Sequence, residues 1–261
     1  KDLIINVLEA LELKADNFDI ALFEKFIDYE WYGIYSHDPE YIRIYLRILQ
    51  YAINHDKVFA GKPKVVFLPN LDIDYSQFGF NYFDFTNNKR KSVVTNSNIY
   101  IINTPKGFYW KSILALSEVP LVTGDNSVTE ALANRQRFFY EIEPHKADFA
   151  TSLRDMARSG LTEREIEIYS LLLFHNLPAY LSSHHPQFNR KTLESEIETM
   201  FASLARIFTD SNAKEIFIKI GNKVIEAKGN VTDKFIRVIQ KKEWLQLDKM
   251  KQAVDNIDIN I

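Results

Sequence analysis

The stretch that most constrains this chain is Pro120 to Lys146, PLVTGDNSVTEALANRQRFFYEIEPHK. Leu121 and Val122 read as a short buried strand, Gly124 as a turn, Ser127 as a helix start, and Phe138 to Ile142 as a second apolar strand. A strand that feeds a glycine turn and then a helix N-terminus builds an anion site. The N–H groups of the first helical turn have no intrahelical acceptor, and the helix dipole adds positive potential there. The stretch has one glycine and no Gly-x-Gly-x-x-Gly pattern, so its context carries the argument.

That context is a series of strands separated by helices. Lys64 to Leu68 (KVVFL) is a compact apolar run ending in Pro69-Asn70, and Asn98 to Asn103 (NIYIIN) is a second, ending in the turn Thr104-Pro105-Lys106-Gly107. A helical pattern over Phe108 to Leu116 leads to Pro120 and the third strand. Strands spaced this way read as βα units with a parallel sheet. The aromatic run 75 to 86 reads as an irregular strand or an aromatic loop, and Asn87 to Lys91 as an exposed basic turn.

The flanks read as helical. Leu3, Val7, Leu8 and Leu11 recur at helical spacing, a second helix is expected from Asp16 or Asn17 to about Trp31, and Gly33 breaks it. Asp38-Pro39 is a helix start, with the helix running to about Asn54. Downstream, 148 to 159 is amphipathic, Thr162 to Glu165 spells a capping box, a helix opens near Thr192, and 213 to 228 leans helical. The expected division is a helical segment 1–60, a sheet domain 61–160 and a helical segment 161–261.

Composition narrows the function classes. A formal net charge of −3 argues against a dedicated nucleic-acid binder. The absence of cysteine excludes disulfides, thiolate metal sites and a cysteine nucleophile. Apolar runs such as Ser170 to Phe174 are far shorter than the ~20 residues a spanning helix needs. The first residues mix Lys1 and Asp2 with Glu9 and Glu12, unlike a secretory leader, so a cytoplasmic location is expected. Asp72 and Asp74 form an Asp-x-Asp, but no third acid or histidine follows closely, and His184-His185 lacks further ligands at zinc-like spacing. No metal site and no cofactor are expected.

In a parallel sheet, the turns at 69 to 74, 104 to 108 and 123 to 127 share one edge, and His145 and Lys146 join them after the fourth strand. Hydroxyls, acids, a histidine and a lysine then meet around a helix N-terminus, a setting that suits a phosphorylated ligand. Ser127 and Glu130 also spell Ser-x-x-Glu, which stabilises a helix start with no ligand present. Asp125 would repel a diphosphate and can instead brace its own turn. Glu141 and Glu143 flank the crevice, where an acid pair can act as general base or stand solvated.

The run SILALSEVPLVTGDNSVTEALANRQRFFYEI resembles the nucleotide-sugar-binding half of GT-B-type glycosyltransferases: a helix ending in Leu and Ser, a Val-Thr-Gly turn, Ser-x-x-Glu at the next helix start, then a short return strand. Its Gly-Asp-Asn-Ser turn is similar to the Gly-Glu-Asp-Ser turn of bacterial protein-arginine rhamnosyltransferases. The likeness spans under a fifth of the chain. Arg137 stands where those enzymes carry proline, and Leu68-Pro69-Asn70 replaces a Gly-rich loop.

The resemblance implies a Rossmann-like, metal-independent donor half. Thr123, Gly124, Asp125, Asn126 and Ser127 would surround the diphosphate. Glu130 would reach the ribose, and Thr104, Gly107 and Phe108 would face the base. His145, Lys146 and Glu141 are the catalytic candidates, with a cation stabilising the leaving nucleotide diphosphate. The partner is then a nucleotide-diphosphate sugar, with a protein or glycan acceptor. GT-B enzymes pair two such halves, and residues 1–60 read as too short and too helical to be the other. A non-catalytic helical module with a degenerate nucleotide pocket, and another phosphate-handling α/β enzyme, remain alternatives.

Overall fold

Lys64 to Leu68 is buried at every position, and the reason is visible in how its side chains divide. Val65 and Phe67 join one apolar cluster, Val66 and Leu68 another. Trp31/Tyr32 and Phe83/Tyr82 divide between the same two clusters. A strand covered on both faces needs apolar side chains of both parities, which is why it reads as a continuous run. The computed structural model describes residues 4–7, 24–69, 75, 78–84, 91–93, 95, 97–104, 109–166 and 190–223.

The chain is mixed α/β with a largely parallel sheet. Its elements in order are β1 (Glu30–Gly33), α1 (Pro39–His55), α2 (Lys57–Gly61), β2 (Lys64–Leu68), β3 (Asn81–Asp84), β4 (Lys91–Val93) and β5 (Ile99–Asn103). There follow α3 (Trp110–Leu116), β6 (Leu121–Thr123), α4 (Asp125–Ala133), β7 (Phe139–Glu141), α5 (Ala147–Arg158) and α6 (Arg190–Thr209), and 211–223 is helical. β1, β2, β5 and β3 pair in parallel in that order, with β4 antiparallel on the outside. β6 and β7 form a parallel pair. A single bridge, Ile34 to Leu121, joins this pair to the other side of β1. The strands therefore spread from β1 in both directions, toward β2 on one side and β6 on the other.

The four strands expected from the sequence are present and parallel. β1 was not expected: the second helix read to Trp31 ends earlier, and Glu30–Gly33 is a strand. Residues 24 and 25 are helical and Phe26–Asp28 is a 3-10 turn just ahead of the strand, while Phe23 lies outside the described residues. Gly33 is not a helix breaker but a packing position. A Cβ there would lie 2.8 Å from Ser117 Oγ and 2.9 Å from Ile113 Cγ2, so its absence lets β1 lie close to α3. The aromatic run resolves into β3, and Lys91 begins β4 rather than ending a turn.

Local signals elsewhere behave as chemistry dictates. The Asp38 carboxylate accepts from Glu40 N at 2.8 Å and caps α1. Thr162 and Glu165 form the reciprocal capping box, Thr162 N to Glu165 Oε2 at 2.8 Å and Glu165 N to Thr162 Oγ1 at 3.3 Å. Arg137 donates to the Ile207 and Phe208 carbonyls at 2.9 and 3.1 Å and so satisfies the last turn of α6.

α1 and α6 pack together on one face. Phe208 is the aromatic centre of that layer, with Tyr32, Tyr45, Phe59 and Phe139 rings at centroid distances of 5.6 to 5.9 Å. Phe208→Ala is expected to cost ~3–5 kcal/mol of folding stability by chemical denaturation, because it opens a cavity among four rings. Truncating exposed Val58 to alanine should cost well under that, and equal costs would contradict the packing assignment.

Candidate functional site

The turn after β6 delivers a helix N-terminus to the sheet edge. Gly124 has φ +78° and ψ 155°, a conformation that side chains with a Cβ adopt only with strain. It is the N-cap of α4, and no side chain caps that end. The helix therefore starts at Asp125, two residues before the expected start. Ser127 lies inside the first turn, so Ser127 and Glu130 do not form the reciprocal box that their spacing spells. Uncapped N–H groups at a helix start favour an anionic acceptor.

Asp125 is held by a contact outside its own turn. Its Oδ2 accepts from Lys146 Nζ at 3.0 Å, which ties the β6 turn to the segment after β7. The second oxygen, Oδ1, is buried without a hydrogen-bond partner. The Asp125 backbone carbonyl accepts from Thr129 Oγ1 at 2.7 Å. His145 is exposed and lies 3.5 Å from Glu143 Oε2.

Three strands end side by side here. Ile34, Leu121 and Phe139 are successive register partners on β1, β6 and β7. Two residues further along come Ser36, in the turn after β1, and the register pair Thr123 and Glu141. All three are buried, at 0%, 8% and 6% relative exposure. Thr123 Oγ1 and Glu141 Oε2 have no hydrogen-bond partner. The Ser36 oxygen accepts from Asp38 N at 3.1 Å, and its hydrogen has two acceptors within reach, the Asp38 carbonyl at 3.2 Å and the Glu141 carboxyl.

Electrostatics at this edge lean acidic. Burial holds the Glu141 carboxyl above its ordinary value, Asp38 and Glu143 push the same way, and the Ser36 hydroxyl and His37 oppose them. Burial also pushes the Tyr140 phenol up to about 12, aided by Asp125 and Glu143. Tyr140 OH is likewise buried without a partner.

The expected site residues thus fall into three groups. Thr123, Gly124, Asp125, Asn126, Glu141, His145 and Lys146 gather at the C-terminal edge of β6 and β7. Ser127 and Glu130 instead line a cavity of about 150 Å³ between α3 and α4, with Lys111, Leu114, Val122 and Asn134. Glu130 is exposed there, with Lys111 Nζ 4.0 Å away. Thr104 is inside the sheet: its hydroxyl and its N–H both donate to Leu68 O, at 2.8 and 2.9 Å, so its oxygen helps hold β5 on β2. Gly107, Phe108, Asp72, Asp74, His184 and His185 lie outside the described residues.

Ser36, His37 and Asp38 were missed as site residues. The signal was present in Trp31 to Tyr35 (WYGIY), a β-branched and aromatic run ending in a polar turn and an Asp-Pro helix start. Tyr35 carries that turn's aromatic side, with Trp110 and His37 rings at 5.5 and 5.7 Å.

Among the described residues, no group of three or more His, Asp or Glu is placed to hold a metal ion. Nor is any helix among them long and apolar enough to cross a membrane. No protein-family model and no curated protein matches this chain.

The raised Glu141 carboxyl has a signed consequence. Between the ordinary value of 4.5 and the higher native value, the folded chain keeps a proton that the unfolded chain has lost, so stability falls as pH rises. The penalty is absent below that window and complete above it. Chemical denaturation from acid to neutral pH should show wild type losing stability relative to Glu141→Gln. Parallel profiles for the two proteins would contradict a buried, destabilised carboxylate.

Proposed function

We propose that this chain is a GT-B-like donor half that binds a nucleotide-diphosphate sugar and transfers its glycosyl group. The observation that carries this reading is the uncapped N-terminus of α4, reached through a positive-φ glycine, beside the junction where strands leave β1 in opposite directions. In open α/β sheets, ligands bind outside the strands' carboxyl ends at such a switch point.

In this reading the first-turn N–H groups of α4 hold the diphosphate. Lys146 turns from Asp125 toward it and, with His145, stabilises the nucleotide diphosphate as the bond from the sugar's anomeric carbon to phosphate oxygen breaks. Ser127 and Glu130, on the neighbouring cavity, serve the phosphate and ribose, and the segment after Thr104 faces the base. The proposed setting is the cytoplasm, and the proposed acceptor a protein or glycan. The Asp125–Lys146 pair favours a second reading, a nucleotide-binding module without catalysis, because it neutralises a cation that transfer would use.

Calorimetric titration with UDP, GDP and dTDP and their sugars tests the reading. At least one should bind. Lys146→Ala should weaken that nucleotide roughly tenfold, the scale of one charge-assisted hydrogen bond, with a shallower salt dependence. Gly124→Ala should weaken it through backbone strain. Absence of binding by every nucleotide contradicts the reading, and binding without turnover of any nucleotide sugar favours the module.

A further inference from the structure

Several buried polar groups in this chain show how such groups are satisfied elsewhere in the sheet. Lys64 is fully buried, yet its ammonium donates to the Phe59 and Lys62 carbonyls, lies 3.4 Å from Glu30 Oε2 and sits 3.9 Å over the Phe59 ring. Buried Asn81 donates to the Ser97 and Ile99 carbonyls and accepts from Thr95 N at 2.7 Å. Thr104 spends its hydroxyl on Leu68 O. Against that background, Thr123 Oγ1 and Glu141 Oε2 stand out as neighbouring register partners that are both buried and both unpartnered. A structural role would have been served by apolar residues, since an unsatisfied buried hydroxyl or carboxylate oxygen destabilises the fold.

We propose that the row Ser36, Thr123 and Glu141 recognises the hydroxyl groups of the transferred sugar. This rests on the donor-site reading and assigns one part of that site. The chemistry of the row fits a polyol and not a phosphate. A carboxylate accepts from hydroxyls, and a threonine hydroxyl both donates and accepts, which is the complement of a hydroxyl-bearing ring. A second anion against Glu141 would be repelled. The phosphate-binding groups lie next door: Gly124 follows Thr123 directly, so hydroxyl recognition and the uncapped N–H groups of α4 adjoin along the chain. Ser36 is held in place by its two contacts with Asp38, which caps α1, so α1 and β1 position the end of the row. The burial that disfavours ionised Glu141 is offset when hydroxyl donors arrive.

The test compares each nucleoside diphosphate (UDP, GDP, dTDP) with its sugar-bearing form in wild type, Glu141→Gln and Thr123→Val, by calorimetric titration of the full chain alongside thermal melts. Both substitutions keep shape, and neither should lower the melting temperature, because Thr123→Val removes an unsatisfied buried hydroxyl and Glu141→Gln removes a buried carboxylate charge. Wild type should bind one nucleotide sugar more tightly than the matching diphosphate. Glu141→Gln should weaken that nucleotide sugar by roughly tenfold, and Thr123→Val by a lesser factor, with the diphosphate changed by less than about twofold. Equal losses for diphosphate and sugar form, or no loss for either, overturn the row's role while leaving nucleotide binding intact. A drop in melting temperature of more than about 5 °C in both variants also overturns it, because the side chains would then be structural. No binding of any nucleotide to wild type overturns both this assignment and the donor-site reading.

Discussion

The arrangement of this protein depends on a short backbone junction. Ile34 N donates to Phe67 O at 2.9 Å, and the next amide, Tyr35 N, donates to Leu121 O at 2.8 Å. Successive residues of one strand therefore bind strands on opposite sides, as the alternating directions of strand amides require. Those two bonds give β1 a neighbour on each side, β2 and β6, and carry the β6–β7 pair onto the same edge as β2 and β5. Without them the turns after β1 and β6 would have no common edge, and the Ser36 hydroxyl would not stand within reach of the Glu141 carboxyl. The junction is supported from beneath by Gly33, whose missing Cβ lets α3 approach, and from above by Tyr45, whose hydroxyl donates to the Val119 carbonyl just before β6.

Much of this was legible in sequence because burial on both faces leaves an unmistakable mark. KVVFL, IYIIN and LVT are each short, apolar and closed by a polar or proline turn, and each is a strand. β1 was hidden because its own signature, Trp31 and Tyr32 before a glycine, adjoins apolar residues at helical spacing. Tertiary pairing, not local pattern, decides such a segment. β3 was ambiguous for a similar reason, since its aromatic residues serve strand and loop equally well. The site shows the same division. Gly124 and the helix after it were readable, whereas the start of α4 was misplaced by a Ser-x-x-Glu that looks like a cap and lies within the helix. Which of several polar residues would be buried and unpartnered depends on register between strands far apart in the chain. No sequence window contains that information.

The charge pattern sets the limits on chemistry at this edge. Asp38, Asp125, Glu141 and Glu143 outnumber the cations that the described residues place nearby, and Lys146 is already engaged by Asp125. A helix N-terminus without a side-chain cap is then the chief source of positive potential for an anion, and it acts over little more than its first turn. A ligand that carries its negative charge at one end and neutral hydroxyls at the other matches the division between the α4 terminus and the Ser36–Thr123–Glu141 row. A nucleotide-activated sugar has that character, whereas a simple polyanion would meet the acids.

The central claim is that a nucleoside diphosphate seats at the α4 N-terminus beside the β1–β6 junction. Mapping amide chemical-shift changes on the isotopically labelled chain, as UDP, GDP or dTDP is added, tests it most directly. The account predicts saturable shifts at Gly124, Asp125, Asn126 and Ser127, smaller ones at Ser36 to Asp38, and none at Lys62 and Lys64 on the opposite edge. Saturable shifts confined to other surfaces, or no shifts with any of the three nucleotides, would contradict it.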